Sequence, residues 1–149
     1  MRGTILKFKS VNDTYGHLAG DEVLRETAKR LPSSVGSYDF VGRSGGEEFL
    51  VVLNNGNPAY ALARAEEIRK ASARTPVQTC SGPVPITMSF GLLLSQEWSG
   101  LPLEELLQQA DSALYAAKAA GRNCVKITIP KIAAVDTHSQ ARELAPQRR

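Results

Sequence analysis

Apolar residues recur at three- and four-residue steps in three parts of the chain, and this spacing predicts amphipathic helices. In the first part, Val23, Leu24 and Leu31 share one face, and Pro32 is predicted to stop the helix. In the last part, the apolar stripe continues up to Gly121, and glycine commonly follows the end of a helix. The predicted helices cover residues 23–31, 58–73 and 103–120, and Leu103 is taken as the first member of the last buried stripe.

Shorter apolar segments rich in β-branched residues alternate with these helices and predict strands. Two of them flank Ser44-Gly45-Gly46-Glu47, a sequence that favours a hairpin turn. The segment 86–94 is apolar almost without interruption, which is typical of a central strand. Residues 12–20 are rich in turn-forming residue types, and residues 75–85 are predicted to form a loop. The predicted strands cover residues 5–8, 39–43, 48–53, 86–94 and 124–129.

The element order β-α-β-β-α-β-α-β predicts one α/β domain built in two or three layers. A chain of 149 residues is long enough to bury a single core. After Pro130 the sequence is polar and shows no core face, which indicates a loosely held tail. We therefore predict a folded domain over residues 1–129 and a C-terminal tail over residues 130–149.

Composition excludes several classes of function. The formal net charge is +3, and Arg142, Arg148 and Arg149 supply part of it, so no nucleic-acid face is predicted. The chain has two cysteines, two histidines and no CxxC pair, so a zinc site is not expected. No apolar run reaches the roughly 18 residues of a membrane span. We expect a cytoplasmic protein without membrane contact.

The segment Arg43-Ser44-Gly45-Gly46-Glu47-Glu48-Phe49 is the most informative stretch for chemistry. Two glycines in a hairpin can adopt positive φ and let a ligand approach the backbone. Two adjacent carboxylates, Glu47 and Glu48, can bind a hard divalent cation, which prefers oxygen ligands. A hairpin with charged flanks that keep it soluble explains the same pattern equally well.

Three further motifs surround this hairpin: FKSVND at residues 8–13, GHLAGD at residues 16–21 and AKAAGRN at residues 117–123. In this order and spacing the four motifs closely resemble the GGDEF family of diguanylate cyclases. The resemblance covers about residues 4–127. It implies a nucleotidyl cyclase catalytic (palm-like) fold with a mixed, mostly antiparallel central sheet flanked by helices.

The resemblance also implies an activity. Members of the family condense two GTP molecules into cyclic di-GMP with two divalent metals, so Mg²⁺ or Mn²⁺ is the expected cofactor. Each of two facing domains holds one GTP, and we therefore expect a homodimer. Asn12 and Asp21 would bind the guanine edge, and Gly45 and Gly46 would let the backbone approach the ribose and α-phosphate.

The remaining roles implied by the resemblance concern charge. Glu47 would bind metal, and Glu48 would act at the metal or at the attacking 3′-hydroxyl. Lys9, Lys118 and Arg122 would hold the phosphates, and the spacing of the last two residues lets both point to one side of a helix.

Simpler structural roles stay open for these residues. Asn12 could form an Asx-turn, and Asp21 could cap the following helix. Lys118 and Arg122 suit a helix C-terminus without any ligand.

The chain departs from the family at the first strand, which usually reads D-x-D-x-F-K. Thr4 and Leu6 stand at the two acidic places, and the segment that normally precedes them is absent, so we expect a domain shortened at its N-terminus. A neutral hydroxyl is a far weaker Mg²⁺ ligand than a carboxylate. We therefore expect turnover to fall by on the order of a thousandfold.

A product-inhibition motif, R-x-x-D, is common in the family just before the hairpin. Here Gly36 takes the arginine place while Asp39 remains, and Glu67 takes the place of a second arginine, so feedback binding is doubtful. Two alternatives to an impaired cyclase are kept. The first is a non-catalytic module that binds GTP or a protein partner, and the second is a folded gene fragment.

Overall fold

The computed structural model of the chain describes residues 1–54, 57–94 and 101–129. Within these ranges no helix is long and apolar enough to cross a bilayer. The tail predicted over residues 130–149 lies outside the described residues. The elements in chain order are β1 (Arg2–Ile5), α1 (Phe8–Tyr15), α2 (His17–Ser33), β2 (Phe40–Gly45), β3 (Glu48–Val52), α3 (Pro58–Ala73), β4 (Val77–Thr79), β5 (Gly82–Val84), β6 (Met88–Leu93), α4 (Leu103–Ala119) and β7 (Val125–Thr128).

The main sheet has five strands in the order β2-β3-β1-β6-β7. Neighbouring strands are antiparallel except β6 and β7, which run parallel. The predicted fold class, a mixed and mostly antiparallel sheet flanked by helices, is therefore confirmed. β1 lies in the middle, and its register places Thr4 opposite Glu48 on one side and Ser89 on the other.

Two predicted helices are confirmed nearly to the residue. α3 begins at Pro58 and ends at Ala73, and α4 ends one residue before its predicted limit. The end of α4 is set by Gly121, whose φ is 101°. The N–H of Arg122 then donates to the carbonyl of Ala117 at 3.1 Å, as in a Schellman motif.

The turn-rich interpretation of residues 12–20 is wrong. Phe8 opens α1 instead of closing a strand, and α1 and α2 are separated by Gly16. The N–H of Gly16 donates to the carbonyl of Asn12 at 2.9 Å, and its φ of 86° redirects the chain. Val11 and the apolar face of α2 are buried in the core, so tertiary packing outweighs the local turn preference of glycine and asparagine.

Smaller differences occur at element ends. Pro32 lies inside the last turn of α2, which ends at Ser33. The predicted loop over residues 75–85 contains the short antiparallel hairpin of β4 and β5. Leu103 is 65% exposed, because it opens α4 two turns before Ala110, the first buried residue of that helix.

α4 packs directly on β6 because Gly91 has no side chain. A Cβ at Gly91 would overlap the backbone nitrogen of Leu114 and the carbonyl oxygen of Ala110. Larger residues there would push the helix away from the sheet. This close docking fixes the position of Asp111 and Lys118, which are carried by the same helix.

Candidate functional site

The hairpin between β2 and β3 is open at its tip. Gly45 and Gly46 have φ values of 151° and 48°. Apart from the adjoining residues of the chain, no described atom lies within 4 Å of a Cβ built on either glycine. Arg43 stabilises the turn by donating from Nε to the carbonyl of Gly46 at 2.8 Å. A ligand can therefore approach the backbone of this tip closely.

Glu48, the second carboxylate of the hairpin, is held by two cations. Arg2 donates from Nη2 to Oε2 of Glu48 at 3.0 Å, and Nζ of Lys118 lies 3.9 Å from Oε1. Arg2 also donates from Nη1 to Oδ2 of Asp111 at 2.9 Å and from Nη2 to Oγ of Ser44 at 3.2 Å. We call Arg2, Glu48, Asp111 and Lys118 the Arg2 cluster, and it joins β1, β3 and α4.

Strand register and helix periodicity explain the Arg2 cluster. Thr4 lies directly opposite Glu48, so Arg2 and Glu48 are diagonal neighbours on one face of the sheet. Asp111 and Lys118 are about two helical turns apart and therefore share one side of α4. The docking of α4 then brings both side chains to the same face.

Sequence reasoning missed Arg2 and Asp111. A signal existed for Arg2, because a charged residue inside a buried strand requires a partner. The partner could not be read from the sequence, since Asp111 reaches Arg2 across 109 positions of the chain. The contact depends on how α4 is placed over β1.

A second polar region lies where α1 and α2 meet. The Oδ1 atom of Asn12 is buried and has no hydrogen-bond partner in the part of the chain that the structure describes. It occupies the space that a Cβ on Gly20 would need, so Gly20 makes room for this amide. Asp21 follows Gly20 in α2 and is exposed. The structure thus brings Asn12 next to the residue that precedes Asp21.

The geometry removes two simpler roles for these residues. An Asx-turn would need Oδ1 of Asn12 to accept a backbone N–H, and within the described ranges that atom accepts none. The residue that caps α2 is Gly16, so Asp21 is not its N-cap. These two alternative interpretations are wrong.

The three candidate phosphate ligands lie on different features. Lys9 is exposed in the first turn of α1, and Lys118 belongs to the Arg2 cluster. Arg122 lines a groove of about 640 Å³ together with Lys7 and Asn123. These three groove residues are also the non-glycine residues with positive φ in the described chain, and such conformations often mark functional sites. Because Gly121 ends α4, Lys118 and Arg122 are not aligned on one helical side.

The described residues offer few ligands for a two-metal centre. Among the described residues, no group of three His, Cys, Asp or Glu side chains lies close enough to hold a metal ion. Thr4 is 1% exposed, and its hydroxyl donates weakly to the carbonyl of Ile5 at 3.4 Å. Glu48 is already ion-paired, which leaves Glu47 as the hairpin carboxylate outside the cluster.

The remnant of the product-inhibition motif has a structural role. Oδ2 of Asp39 accepts the N–H of Gly36 at 2.8 Å, and Oδ1 accepts the N–H of Asn54 at 2.9 Å. Both oxygens therefore tie the start of β2 to neighbouring backbone. Glu67, at the place of a second arginine, pairs with Arg64 at 2.6 Å.

Comparison with known proteins defines the class. Residues 3–124 match the family model described as "Diguanylate cyclase, GGDEF domain". This match spans most of the chain, so the chain belongs to the GGDEF family. Diguanylate cyclases of this family are generally metal-dependent, and GGDEF domains bind GTP as substrate and cyclic di-GMP.

Two individual relatives show how similar the chain is to known proteins. The chain is 40% identical over 121 residues to diguanylate cyclase A of Treponema denticola, covering 81% of this chain and 32% of that protein. It is 44% identical over 120 residues to the response regulator PleD of Caulobacter vibrioides, covering 79% and 26%. The chain therefore spans a third or less of the length of these relatives.

The fold is also similar to that of a solved structure. The crystal structure of diguanylate cyclase SiaD in complex with its activator SiaC, from Pseudomonas aeruginosa, aligns with a TM-score of 0.79. The identity is 33%, and the alignment covers 85% of this chain and 48% of that one.

Proposed function

We propose that this chain binds GTP and acts as a diguanylate cyclase-type domain with reduced turnover. The observation that carries the proposal is the buried Oδ1 of Asn12, which lies beside Gly20 at the α1–α2 junction. A buried acceptor without a partner costs on the order of 1–3 kcal/mol. A ligand that donates a hydrogen bond to this atom would recover that energy.

Guanine supplies the complementary groups. Its Watson–Crick edge carries N1–H and N2–H donors beside the O6 acceptor, and an asparagine amide and an aspartate carboxylate offer the matching acceptors and donor. We assign this edge to Asn12 and Asp21. Adenine presents an acceptor at N1 and has no N2 amino group, so it lacks the two donors that guanine offers to a carboxylate such as Asp21.

The hairpin and the nearby cations suit the rest of the nucleotide. The turn of the hairpin has no side chains at Gly45 and Gly46, which leaves space for the ribose and α-phosphate. Lys9, Lys118 and Arg122 are assigned to the phosphates as donors of charge-assisted hydrogen bonds. Glu47 and Glu48 complete the assignment as the carboxylates nearest the reacting groups.

The reaction requires two such domains. The 3′-hydroxyl of each GTP attacks the α-phosphate of the other, so that two phosphodiester bonds form and two pyrophosphates leave. Each domain positions one GTP, and we therefore propose a homodimer in the cytoplasm with Mg²⁺ or Mn²⁺ as cofactor. The neutral Thr4 and the ion pairs of Glu48 support reduced turnover.

A second candidate is a module that binds GTP without converting it. The pairing of Glu48 with Arg2 favours this candidate, because a carboxylate neutralised within the protein is less available for chemistry.

Titration calorimetry with GTP and ATP, followed by chromatography of a GTP incubation with Mg²⁺, tests both candidates. We expect GTP to bind at least about tenfold more tightly than ATP. Cyclic di-GMP that disappears in Glu47→Ala supports the cyclase. GTP binding without product supports the module. Equal or undetectable binding of both nucleotides contradicts the proposal and leaves a folded fragment.

A further inference from the structure

Arg2 bridges two carboxylates that lie on different elements. Its two terminal nitrogens reach Glu48 on β3 and Asp111 on α4, at 3.0 and 2.9 Å. The Arg2 side chain is 16% exposed, whereas Glu48 and Asp111 are 38% and 47% exposed. The guanidinium thus lies beneath the carboxylates, on the side away from solvent.

The Arg2 cluster is electrically balanced. Arg2 and Lys118 carry two positive charges, and Glu48 and Asp111 carry two negative charges. A divalent cation that approaches Glu48 from solvent therefore meets a carboxylate whose charge is already compensated. It is also repelled by a guanidinium that its bond to Asp111 holds in place.

We propose that Arg2 is a fixed countercation for Glu48, and that its charge opposes coordination of Glu48 by a divalent metal. This inference deepens the proposed function, because it concerns the same hairpin carboxylate. It makes Arg2 a positioning residue that sets the metal affinity of the site. In this chain, the charge that a metal would bring to the hairpin is supplied by the protein.

The shape of arginine matters for this role. A planar guanidinium can serve two carboxylates at once with fixed geometry, whereas a neutral side chain of similar length cannot hold either charge. Removing the charge should leave Glu48 available to a metal. Keeping the charge with lysine should preserve most of the repulsion.

The test is Mn²⁺ titration of the nucleotide-free 149-residue chain, followed by electron paramagnetic resonance of the unbound ion. We expect Arg2→Gln and Arg2→Met to bind Mn²⁺ at least about tenfold more tightly than the unmodified chain. Arg2→Lys should stay within about threefold of the unmodified chain, on the same reasoning. Arg25→Gln, which removes one positive charge from an exposed position of α2, is the matched control and should change little.

A double variant locates the effect. Adding Glu48→Gln to Arg2→Gln should abolish the gain in Mn²⁺ affinity, because the carboxylate that was released is gone. Unchanged affinity in both neutral Arg2 variants, an equal gain in Arg25→Gln, or a gain that survives Glu48→Gln would each overturn the proposal. Thermal melting of every variant verifies folding, and the second neutral substitution replaces the first where the first does not fold.

The measurement is independent of the proposed function, since it contains no nucleotide. Failure of GTP to bind would contradict the function and leave the Mn²⁺ result intact. Failure of the Arg2 variants to gain Mn²⁺ affinity would contradict this inference and leave GTP binding intact.

Discussion

The candidate site has two ends, the α1–α2 junction and the β2–β3 hairpin, and they differ in how the hydrogen-bonding groups of their side chains are paired. At the α1–α2 junction, the buried Oδ1 of Asn12 lacks a partner among the described residues and lies in the space left by Gly20. At the β2–β3 hairpin, both oxygens of Glu48 are held by cations of the same chain. A ligand that donates to Asn12 would recover the cost of its unpaired acceptor, whereas the proposed role of Arg2 is to oppose metal binding at Glu48.

This difference shows that family motifs can persist while the contacts of their side chains differ. The residues of both ends match the GGDEF pattern equally well. Their surroundings do not, because Arg2 and Thr4 on β1 lie beside the hairpin carboxylates and do not reach the α1–α2 junction. We therefore expect nucleotide binding and turnover to be separable in this chain.

The largest expected effect comes from restoring the hairpin end. Thr4→Asp combined with Arg2→Met places a carboxylate opposite Glu48 and removes the countercation. We expect turnover to rise by on the order of a thousandfold, about 4 kcal/mol in activation free energy. Chromatography of cyclic di-GMP measures it.

The same double variant should also melt at a higher temperature with Mg²⁺ than without it, because metal binding stabilises the folded state. Glu47→Ala in this background is the control and should remove product. A double variant that folds and binds GTP but makes no more product than the original chain would contradict the comparison.

The next effect concerns the other end. Asn12→Ala removes the amide assigned to guanine, and we expect GTP affinity to fall about tenfold to a hundredfold, or roughly 1–3 kcal/mol. Titration calorimetry measures it, with Asp13→Ala as the control because Asp13 is an exposed neighbour in the same helix. Equal losses in both variants would show that the amide has no special role.

Gly20→Ala should have a smaller effect and separates packing from binding. The added Cβ displaces the Asn12 amide, so we expect GTP affinity to fall severalfold, or about 1 kcal/mol. Alanine favours a helix interior over glycine by about 1 kcal/mol. The overlap with the Asn12 amide offsets this gain, so the free energy of unfolding should change little. Titration calorimetry and urea denaturation give the two values.

Ala28→Gly is the control, because it exchanges the same two residue types at an exposed position of the same helix that does not contact Asn12. It measures how much helix propensity alone changes the free energy of unfolding. Unchanged GTP affinity in a stably folded Gly20→Ala would argue against the placement of Asn12 in the nucleotide site.

The smallest expected effect is the stability contribution of the Arg2–Asp111 pair. Because Asp111 is 47% exposed, Asp111→Asn should lower the free energy of unfolding by less than about 1 kcal/mol. Urea denaturation at low salt measures it. The loss should shrink at about 1 M NaCl, where charges are screened over a few ångströms. A loss above about 2 kcal/mol, unchanged by salt, would mean that the pair is effectively buried.

The sequence predicted the helices well where their end signals were clear. α3 begins after the N-cap Asn57 with Pro58 in its first turn, and Gly121 follows α4, so the bounds of both helices were confirmed. The prediction failed over residues 12–20, where glycine and asparagine favour turns locally. There the helices form because Val11 and Ala19 are buried in the core, and that burial depends on elements distant in sequence.

By itself the sequence determined the family, the hairpin and the identity of the candidate residues, because these are recorded in short motifs at fixed spacing. Only the tertiary structure decided the state of those residues. The pairing of Glu48 with Arg2 depends on strand register, and that of Arg2 with Asp111 depends on the docking of α4 over Gly91. The unpaired, buried acceptor of Asn12 depends on the approach of α1 to α2 at Gly20. These contacts join residues whose separation along the chain carries no local signal, so they follow from the packed structure and not from the pattern.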